Sequence, residues 1–423
     1  MRIVLSNIGT YGDIHPLIAI ALELKRRGHT PVLALPAVYE AKISPLGLEF
    51  RAIRPDIDPA DTTLIAMIYD VKRGTERGLR EFLFPALRQT YEDLLAAATQ
   101  PVRADLLLLG ELNYAGPIVA EKTGIPWASY VLAPLSFFSA SDPPVLPPYP
   151  RLARADRTPG MGRVMKRLAR FTTRRWSEPV YALRQELGLG RGTNPIFEAK
   201  HSPHLVLALF SRVLGAEQRD WPAHTRITGF CYYDADSGNA KLPPHLQAFL
   251  DAGPPPVVFT LGSAAVLAAG RFFEHSARAA MKLGVRAVLL IGGDQRNRPQ
   301  HELPESICVA EYAPYSKLFP RASVVPTPPC LQAGRPMLIM PYSHDQPDNA
   351  RRMRRLKVGR TIQRGNYTPV RVARKLQLLL EEPRYARRAG LVARRLAHED
   401  GTSTACDALE ELWMSTKPGV PLI

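Results

Sequence analysis

Two short stretches of the sequence place polar side chains directly after an apolar run. The first, "GTYGDIHPL", carries Asp13 and His15 in a glycine-bearing turn that leads into a predicted helix. The second, "PYSHDQPDNA", carries Asp345 and Gln346 before another predicted helix. A carboxylate beside an amide can pair with neighbouring hydroxyl groups, such as those of a sugar. Asp13 and His15 are therefore candidate catalytic groups, and Asp345 with Gln346 is a candidate hydroxyl-binding pair.

Each of these side chains also has an ordinary structural interpretation. Asp13 can cap its helix by accepting hydrogen bonds from free backbone N–H groups, and His15 can fill a surface position. Asp345 or Gln346 can flank the helix that Pro347 would begin. Spacing alone does not decide between these roles and ligand binding, so both interpretations stay open.

A third turn, at Gly262 and Ser263, ends another predicted strand and opens toward a helix. Backbone N–H groups in such a turn can hold a phosphate, helped by the dipole of the following helix. Strand-to-helix turns favour Gly and Ser for conformational reasons as well, so a plain turn is the alternative.

Short strands rich in leucine or β-branched residues alternate with amphipathic helices in two halves of the chain. The first half contains "RIVLSNIG", "TPVLALP", "LEFRAI", "ADLLLLG" and "PWASYVLAP". The second contains "PPVVFTLGS", "RAVLLIGG", "ICVAEY", "ASVV" and "PMLIMP", with a helix near 271–283. This alternation is typical of parallel sheets covered on both faces. We predict an α/β fold of two doubly wound, Rossmann-like domains that face each other across a cleft.

The predicted domain boundaries follow the composition. Residues 231–256 combine turn residues and prolines with one short helical segment, as a linker does. We therefore predict a first domain over 1–235 and a second over 236–400. The amphipathic end of the chain, 401–423, is expected to form a helix and tail that pack back on the first domain.

The charge balance favours an anionic partner, because 55 Lys and Arg stand against 39 Asp and Glu, for a net charge of +16. Residues 151–175 hold nine of these basic residues. On a helix, Val164, Leu168 and Phe171 would share a face opposite the charges, which is typical of a membrane-surface helix or of a solvated helix packed on the body. Nucleic acid is not expected, since no binding motif and no basic stretch interleaved with aromatics occurs.

Other classes of protein and site find little support in the sequence. The apolar runs quoted above are far shorter than the ~20 residues that a bilayer crossing needs, and the start lacks a secretory pattern, so we expect a cytoplasmic protein with at most peripheral membrane contact. The four cysteines lie far apart, which predicts free thiols rather than a disulfide or zinc framework. The two Asp-x-Asp triplets, Asp56 with Asp58 and Asp234 with Asp236, are interpreted as solvated turns, and no metal is expected.

With these stretches in hand, the chain resembles the inverting, nucleotide-sugar-dependent glycosyltransferases of the GT-B fold along nearly its whole length. That family includes macrolide, glycopeptide-antibiotic, sterol and flavonoid enzymes. The stretches that carry the resemblance occur in the family's order and are "GTYGDIHPL", "GPIVAEKTGIPW", "FTLGSAAV", "EYAPYSKLFPRASVV" and "AGRPMLIMPYSHDQPDNARRM".

The resemblance implies a role for each matching residue. Asp13 occupies the place of the group that draws the proton from the acceptor hydroxyl, and Asp345 with Gln346 matches the pair that binds the donor sugar. The first domain would bind the acceptor and the second the donor, without a metal or other cofactor. The remaining residues that would bind the donor are Gly262, Ser263, Tyr312, Ala313 and Tyr315. The apolar stretch 130–150 would line the acceptor pocket, with His15, Phe137 and Phe138 as candidates.

One expected feature is missing. Family members carry a His-x-Gly-Gly-x-Gly-Thr loop that stabilises the leaving diphosphate, and its place holds only "PTPPC", residues 326–330. Prolines lack the N–H groups that a phosphate cradle needs. Three interpretations stay open: this sequence omits a loop that the protein has, the chain is a variant with weakened donor binding, or it is a non-catalytic relative. We favour the first, because the sugar pair and the elements around it are otherwise complete.

The function that the resemblance implies is transfer of a hexosyl group, with glucose as the expected sugar, from a UDP- or dTDP-sugar to a hydroxyl of a hydrophobic small molecule. The alternative is a non-catalytic relative that binds a lipophilic ligand or assists a partner enzyme. A dinucleotide-dependent oxidoreductase also fits the doubly wound pattern, but the sequence lacks the Gly-x-Gly-x-x-Gly turn.

Overall fold

The computed structural model describes residues 1–57, 61–149, 158, 160–234, 241–262, 265–326 and 328–417. Several predictions fall outside these ranges: those for Ser263, for the boundary between 235 and 236, for the start of the basic stretch and for the tail after 417. Asp58 and Asp236, the second members of the two Asp-x-Asp triplets, lie outside them as well.

The first half of the chain forms a seven-stranded parallel sheet in the order β3-β2-β1-β4-β5-β6-β7. Strands β1, β4 and β5 are almost wholly buried, which explains their unbroken apolar sequences. The strands are β1 (Arg2–Ser6), β2 (Thr30–Leu35), β3 (Glu49–Ala52), β4 (Leu106–Gly110), β5 (Trp127–Val131), β6 (Val206–Ala208) and β7 (Thr225–Ile227).

The second half contains a three-stranded parallel sheet in the order β10-β9-β8 and a parallel pair, β11 with β12. Single bridges from Val257 to Val324 and from Val325 to Met337 connect the two groups. All of these pairings are parallel. Together the five strands and the bridging residues form one continuous layer. The strands are β8 (Val257–Thr260), β9 (Ala287–Leu290), β10 (Ile307–Ala310), β11 (Met337–Ile339) and β12 (Gly359–Thr361).

Helices connect and cover the strands. In the first half they are α1 (Tyr11–Arg26), α2 (Glu40–Ile43), α3 (Thr62–Ile68), α4 (Gly74–Arg77), α5 (Leu87–Thr99), α6 (Gly116–Thr123), α7 (Met161–Thr172) and α8 (Glu178–Glu186). In the second half they are α9 (Pro244–Asp251), α10 (Phe272–Leu283), α11 (Tyr315–Leu318), α12 (Gln346–Leu356), α13 (Pro369–Glu381), α14 (Pro383–Leu396) and α15 (Gly401–Ser415).

The predicted architecture of two doubly wound parallel sheets is confirmed. Strands β6, β7 and β12, of three residues each, were not predicted. "ASVV" contributes bridging residues rather than a full strand. The helix predicted near 271–283 is α10, which Gly284 ends with a left-handed backbone (φ 62°).

The last helix, α15, packs against α1 of the first half. Cys406 and Leu409 are fully buried in one apolar cluster with Leu17 and Ile18. Arg27, just after α1, binds Asp407 at 2.6 Å and Glu410 at 2.8 Å. The first half is thus covered by a segment that follows the whole second half in sequence.

Two features join the halves. An apolar cluster contains Phe210 of the first half together with Leu246 and Val258 of the second. Beside it, a network of buried ions connects the 139–149 loop of the first half with α12 of the second.

The network is centred on Asp348, which is fully buried. Its carboxylate accepts from the backbone N–H of Val145 at 3.1 Å and from Arg352 at 2.7 Å. Arg351 and Arg352 bind Asp142 as well as Asp348, at 3.2 and 2.6 Å from Asp142. Because the two carboxylates come from opposite halves, these arginines tie the halves together.

Candidate functional site

A cavity of about 2450 Å³ lies where the carboxyl ends of both sheets meet. Residues that follow β1, β4 and β5 line it from one half, and residues that follow β8, β9, β10 and β11 line it from the other. Doubly wound sheets bind ligands at this edge. Pockets for a single small molecule usually measure about 300–1,000 Å³. The cavity can therefore hold two ligands at once.

Asp13 lines this cavity from the first turn of α1. Its Oδ2 accepts from the Thr10 backbone N–H at 2.7 Å and from the Thr10 hydroxyl at 3.1 Å. The carboxylate thus completes a capping box, as the structural interpretation of the sequence proposed. Both contacts use the same oxygen, Oδ2, so capping and a chemical role of the carboxylate are compatible.

Burial raises the pKa of Asp13 to about 6, and the negative charge of Glu111 adds to the increase, while the hydrogen bonds from Thr10 oppose it. Glu111 follows β4 and also lines the cavity. Lys200 binds its Oε2 at 2.7 Å, and the Ser136 hydroxyl donates to its Oε1 at 2.6 Å. A carboxylate with a pKa near 6 is ionised at neutral pH and still basic enough to accept a proton.

Gly9 gives the Asp13 carboxylate its room, because a Cβ at this position would lie 2.5 Å from Oδ2. We expect Gly9→Ala to displace the carboxylate and to lower turnover about tenfold or more, since small misplacements of reacting groups carry large rate penalties. The matched control is Gly12→Ala, whose Cβ would meet only the Thr10 hydroxyl, at 3.7 Å. Steady-state kinetics of both variants provide the check, and equal rates would contradict this account of Gly9.

Asp345 and Gln346 lie across the cavity, at the start of α12. The Asn349 amide donates to Asp345 Oδ2 at 2.6 Å. The side-chain carbonyl of Gln346 accepts from the Tyr342 backbone N–H at 2.8 Å. These contacts hold both side chains at the wall of the cavity, where they offer a carboxylate beside an amide.

Burial also raises the pKa of Asp345 to about 6, and the charge of Asp13 is the next contribution. The two carboxylates therefore sense each other inside one cavity, although 331 positions separate them in the sequence. Asn349 lines the cavity too, and its Oδ1 is buried without a hydrogen-bond partner among the described residues.

Of the other residues predicted to bind a donor, Gly262, Tyr312 and Tyr315 line the cavity. The Tyr315 ring stacks on Phe319 with centroids 4.3 Å apart, which creates an aromatic wall. Ala313 does not line the cavity, because it is fully buried in the core between the halves.

Asp234 corrects one interpretation made from the sequence. It was expected in a solvated turn, but its two carboxylate oxygens accept from the backbone N–H groups of Tyr315 and Ser316, each at 3.1 Å. The side chain thus caps the turn that carries the aromatic wall. The described residues contain no cluster of three or more His, Cys, Asp or Glu able to hold a metal ion.

Two of the three residues predicted for an acceptor pocket, His15 and Phe138, line the cavity. Burial lowers the pKa of His15 to about 4, so the ring is neutral at pH 7. Phe137 does not line the cavity. It is buried against Trp221, with ring centroids 4.3 Å apart, because the left-handed backbone of Phe138 (φ 46°) turns the two neighbours to different sides.

The half of the cavity near Phe138 is mainly apolar. Several helices of the first half form its walls. Their apolar residue types also fill ordinary protein cores, so these lining positions are hard to predict from the sequence. Residues on this side include Ile65, Leu79, Phe82, Leu135, Leu146, Met165, Trp176 and Phe197. Glu111 could have been identified, since it is an acidic residue directly after the buried run "LLLLG".

The segment where the glycine loop was expected is short. Val325 bridges to Met337, and a 3₁₀ helix over Pro328–Ala333 connects it to β11. Pro326, the first residue of the segment that replaces the expected glycine loop, lines the cavity.

The basic helix α7 packs on the body through a face other than its apolar one. Gly162 and Met165 are buried against the body, and a Cβ on Gly162 would lie 2.0 Å from the Ala140 carbonyl oxygen. Val164 and Phe171, on the apolar face, are 61% and 75% exposed. In the part of the chain that the structure describes, no helix combines the length and apolar composition of a membrane span.

Comparison with known proteins gives a consistent set of relatives. The sequence model of the glycosyltransferase family 28 N-terminal domain matches residues 3–135. The O-mycaminosyltylonolide 6-deoxyallosyltransferase of Streptomyces fradiae is 29% identical over 439 residues, covering 99% of this chain and 98% of the relative. The alignment of 439 positions is longer than this chain of 423 residues, so it contains gaps where the relative has residues that this chain lacks.

Solved structures of similar shape are also glycosyltransferases. The calicheamicin glycosyltransferase CalG4 superposes with a TM-score of 0.72 at 16% identity, covering 99% of both chains. Glycosyltransferase VinC in complex with dTDP superposes with a TM-score of 0.66 at 18% identity, covering 97% of this chain and 99% of that one. At these identities the likeness establishes the fold.

Proposed function

Because the chain is a nucleotide-sugar glycosyltransferase of the GT-B fold, we propose that it transfers a hexosyl group from a UDP- or dTDP-sugar to a hydroxyl of a hydrophobic small molecule, with inversion at the anomeric carbon. The observation that carries the proposal is the shared cavity, in which Asp13 faces the pair Asp345 and Gln346.

In this proposal Asp13 is the general base. Its Oδ1 takes the proton of the acceptor hydroxyl as the acceptor oxygen bonds to the anomeric carbon, and the bond to the diphosphate oxygen breaks on the opposite face. A base whose pKa lies near the working pH suits this proton transfer, and the pKa of Asp13, about 6, supports the role.

Asp345 and Gln346 would hold the transferred sugar through adjacent hydroxyl groups. The carboxylate accepts from one hydroxyl and the amide donates to the next. Their hydrogen bonds with Asn349 and Tyr342 hold both side chains before any ligand arrives, so binding would not require them to reorganise. The aromatic wall at Tyr315 supports a nucleotide base site beside them.

The apolar half of the cavity supports a large hydrophobic acceptor. The volume of the whole cavity leaves room for a second molecule beside a nucleotide sugar. The relative from Streptomyces fradiae acts on O-mycaminosyltylonolide, and VinC binds dTDP. We therefore favour a polyketide-type acceptor and include a thymidine donor in the tests below.

One specific observation favours a second function. The leaving diphosphate needs positive partial charge, and loss of a single oxyanion-type donor costs about 2.7–4 kcal/mol of barrier lowering. The segment after Val325 offers three prolines where a glycine loop would supply N–H groups. The alternative is thus a non-catalytic relative that binds a lipophilic ligand or assists a partner enzyme.

The deciding experiment is an assay of the purified chain with UDP-glucose, dTDP-glucose and a panel of polyketide macrolactones, sterols and flavonoids. Products are detected by mass spectrometry, and their anomeric configuration is read from proton couplings. A glycosylated product of inverted configuration supports the proposal. Absence of product together with absence of UDP and dTDP binding in calorimetry favours the second function.

The exposed face of α7 supports contact with an anionic membrane surface. Val164, Leu168 and Phe171 form an apolar stripe, flanked by exposed Arg163 and Arg167. Gly162 packs against the body at close range, and this packing leaves the stripe on the exposed side of α7. Such a basic amphipathic helix suits the interface of a bilayer that contains anionic lipid.

We expect the chain to co-sediment with vesicles that contain phosphatidylglycerol and not with pure phosphatidylcholine vesicles. Replacement of Val164, Leu168 and Phe171 by serine should abolish this binding. Val370, which is 63% exposed on α13, provides the matched control Val370→Ser. Equal sedimentation of all three proteins would exclude α7 as the contact, and binding of an acidic protein instead of lipid would assign the face to a protein partner.

A further inference from the structure

Tyr69 reaches the cavity from the first half of the chain but packs against the second half. It lies directly after α3 and lines the cavity. Its ring stands edge-on to His344, with centroids 5.4 Å apart and planes at 80°, and edge-on to Tyr342 at 6.4 Å and 81°. The ring therefore belongs to the donor side of the cavity although its backbone comes from the acceptor side.

The two segments also meet at the backbone before Tyr69. The Ile68 backbone favours the protonated form of the His344 ring, while burial lowers the pKa of that ring overall. His344 itself has a left-handed backbone (φ 54°), which is costly for a residue with a Cβ and needs support from its surroundings. The contacts with α3 provide part of this support.

Both ring partners of Tyr69 lie just before the hydroxyl-binding pair. His344 immediately precedes Asp345, and the Tyr342 backbone N–H donates to the Gln346 side chain at 2.8 Å. The Tyr69 ring thus rests against the segment that leads into Asp345 and Gln346.

The Tyr69 phenol faces a site that is rich in acceptors. Burial raises its pKa, and the charges of Asp13 and Asp345 raise it further, so the hydroxyl keeps its proton. Ionised carboxylates only accept hydrogen bonds. The carbonyl of Gln346 already accepts a hydrogen bond from Tyr342, so the Gln346 amide group and the Tyr69 hydroxyl are two possible donors to a ligand in this part of the cavity.

We propose that Tyr69 donates a hydrogen bond to a hydroxyl of the transferred sugar and thereby holds the anomeric carbon between Asp13 and the pair Asp345 and Gln346. The inference rests on the proposed function and makes Tyr69 a determinant of donor-sugar specificity. A residue of the first half would then respond to whether the second half carries a sugar.

The test compares wild type with Tyr69→Phe, which deletes the hydroxyl and keeps the ring. Binding of dTDP and of dTDP-glucose is measured by calorimetry, and kcat/KM is measured with the acceptor found in the panel. We expect the dissociation constant of dTDP-glucose to rise about 2- to 10-fold, as the loss of one hydrogen bond predicts, with that of dTDP unchanged. Tyr181→Phe on α8 is the matched hydroxyl deletion outside the cavity and should match wild type.

Donors that lack one hydroxyl identify the partner. With the 2-, 3-, 4- and 6-deoxy analogues of dTDP-glucose, the penalty of Tyr69→Phe should vanish for one analogue and persist for the others. Tyr69→Ala should weaken all sugar donors, because it also removes the ring from His344. Unchanged dTDP-glucose binding in Tyr69→Phe, or a penalty that persists with every analogue, overturns the inference. A wild type that binds no nucleotide sugar overturns the proposed function as well.

Discussion

Asp13→Asn is expected to lower kcat about 10²- to 10⁴-fold, the usual contribution of a general base. The amide has nearly the same shape as the carboxylate and can still accept from Thr10, but it cannot take a proton. Donor binding should change little, since Asp345 and Gln346 are untouched. Turnover within threefold of wild type would exclude Asp13 as the base.

The pH dependence provides an independent check. The pKa of Asp13 is about 6, raised first by burial, and that of Asp345 is about 6 for the same reason. Since both must lose a proton to act as acceptors, kcat/KM of the wild type should fall as pH drops through about 6. The two groups titrate as a coupled pair. In Asp13→Asn the fall should become shallower and move to lower pH, because Asp345 no longer faces that charge.

The contribution of Asp13 to the free energy of unfolding should change with pH in the opposite direction to kcat/KM. A carboxyl group whose pKa is raised by folding stabilises the folded state below its unfolded pKa, and this contribution is lost as pH rises through the folded pKa of about 6. At pH 8 the wild type buries an ionised Asp13 and the variant does not. Asp13→Asn should therefore unfold no earlier than wild type at pH 8, which separates lost chemistry from lost folding.

Asp348→Ala is expected to lower the free energy of unfolding by about 3–5 kcal/mol, the typical result of removing one partner from a buried ion pair. Asp348 is fully buried, and Arg352 exposes only 4% of its side chain. Without Asp348, the buried guanidinium groups of Arg351 and Arg352 would lose one of their carboxylate partners, and the Val145 backbone N–H would lose its acceptor. Urea denaturation followed by circular dichroism measures the change.

Arg355 offers the matched control at the edge of the same network. It binds Asp142 at 3.0 Å, but its side chain is 57% exposed. Exposed ion pairs contribute about 0–1 kcal/mol, so Arg355→Ala should be close to wild type. Equal urea midpoints for Asp348→Ala and Arg355→Ala would show that the buried ions do not hold the halves together.

The sequence predicted the central part of the fold because buried parallel strands require unbroken apolar runs. "RIVLS" and "LLLLG" occupy the middle of the first sheet, where helices cover both faces. Strands β6 and β7 form one edge with three residues each, and they are placed by the pairing of β6 with β5 and of β7 with β6. Pairing with neighbouring strands therefore determines the position of the strands that were not predicted from the sequence.

The candidate site was predicted where backbone signals mark a turn. Glycines identify the turn before Asp13, and Pro347 identifies the helix after Asp345. Tyr69 carries no such signal, because its importance comes from contacts with residues more than 270 positions away. Phe137 and Phe138 are neighbours of the same type, and only the left-handed backbone at Phe138 decides which one faces the cavity.

The orientation of α7 shows a further limit of prediction from sequence. The spacing of Val164, Leu168 and Phe171 correctly places them on one face, but spacing does not say whether that face meets the body. The close approach of Gly162 to Ala140 decides it, and this contact involves a backbone atom that no periodicity reveals.

The position of α15 has a consequence for biosynthesis. Its buried face completes the apolar layer over α1, yet the ribosome adds these residues only after the entire second half has emerged. The nascent first half must therefore wait with this face of α1 uncovered, open to chaperones or to neighbouring nascent chains. Final closure of the domain that is translated first is then among the last events of assembly.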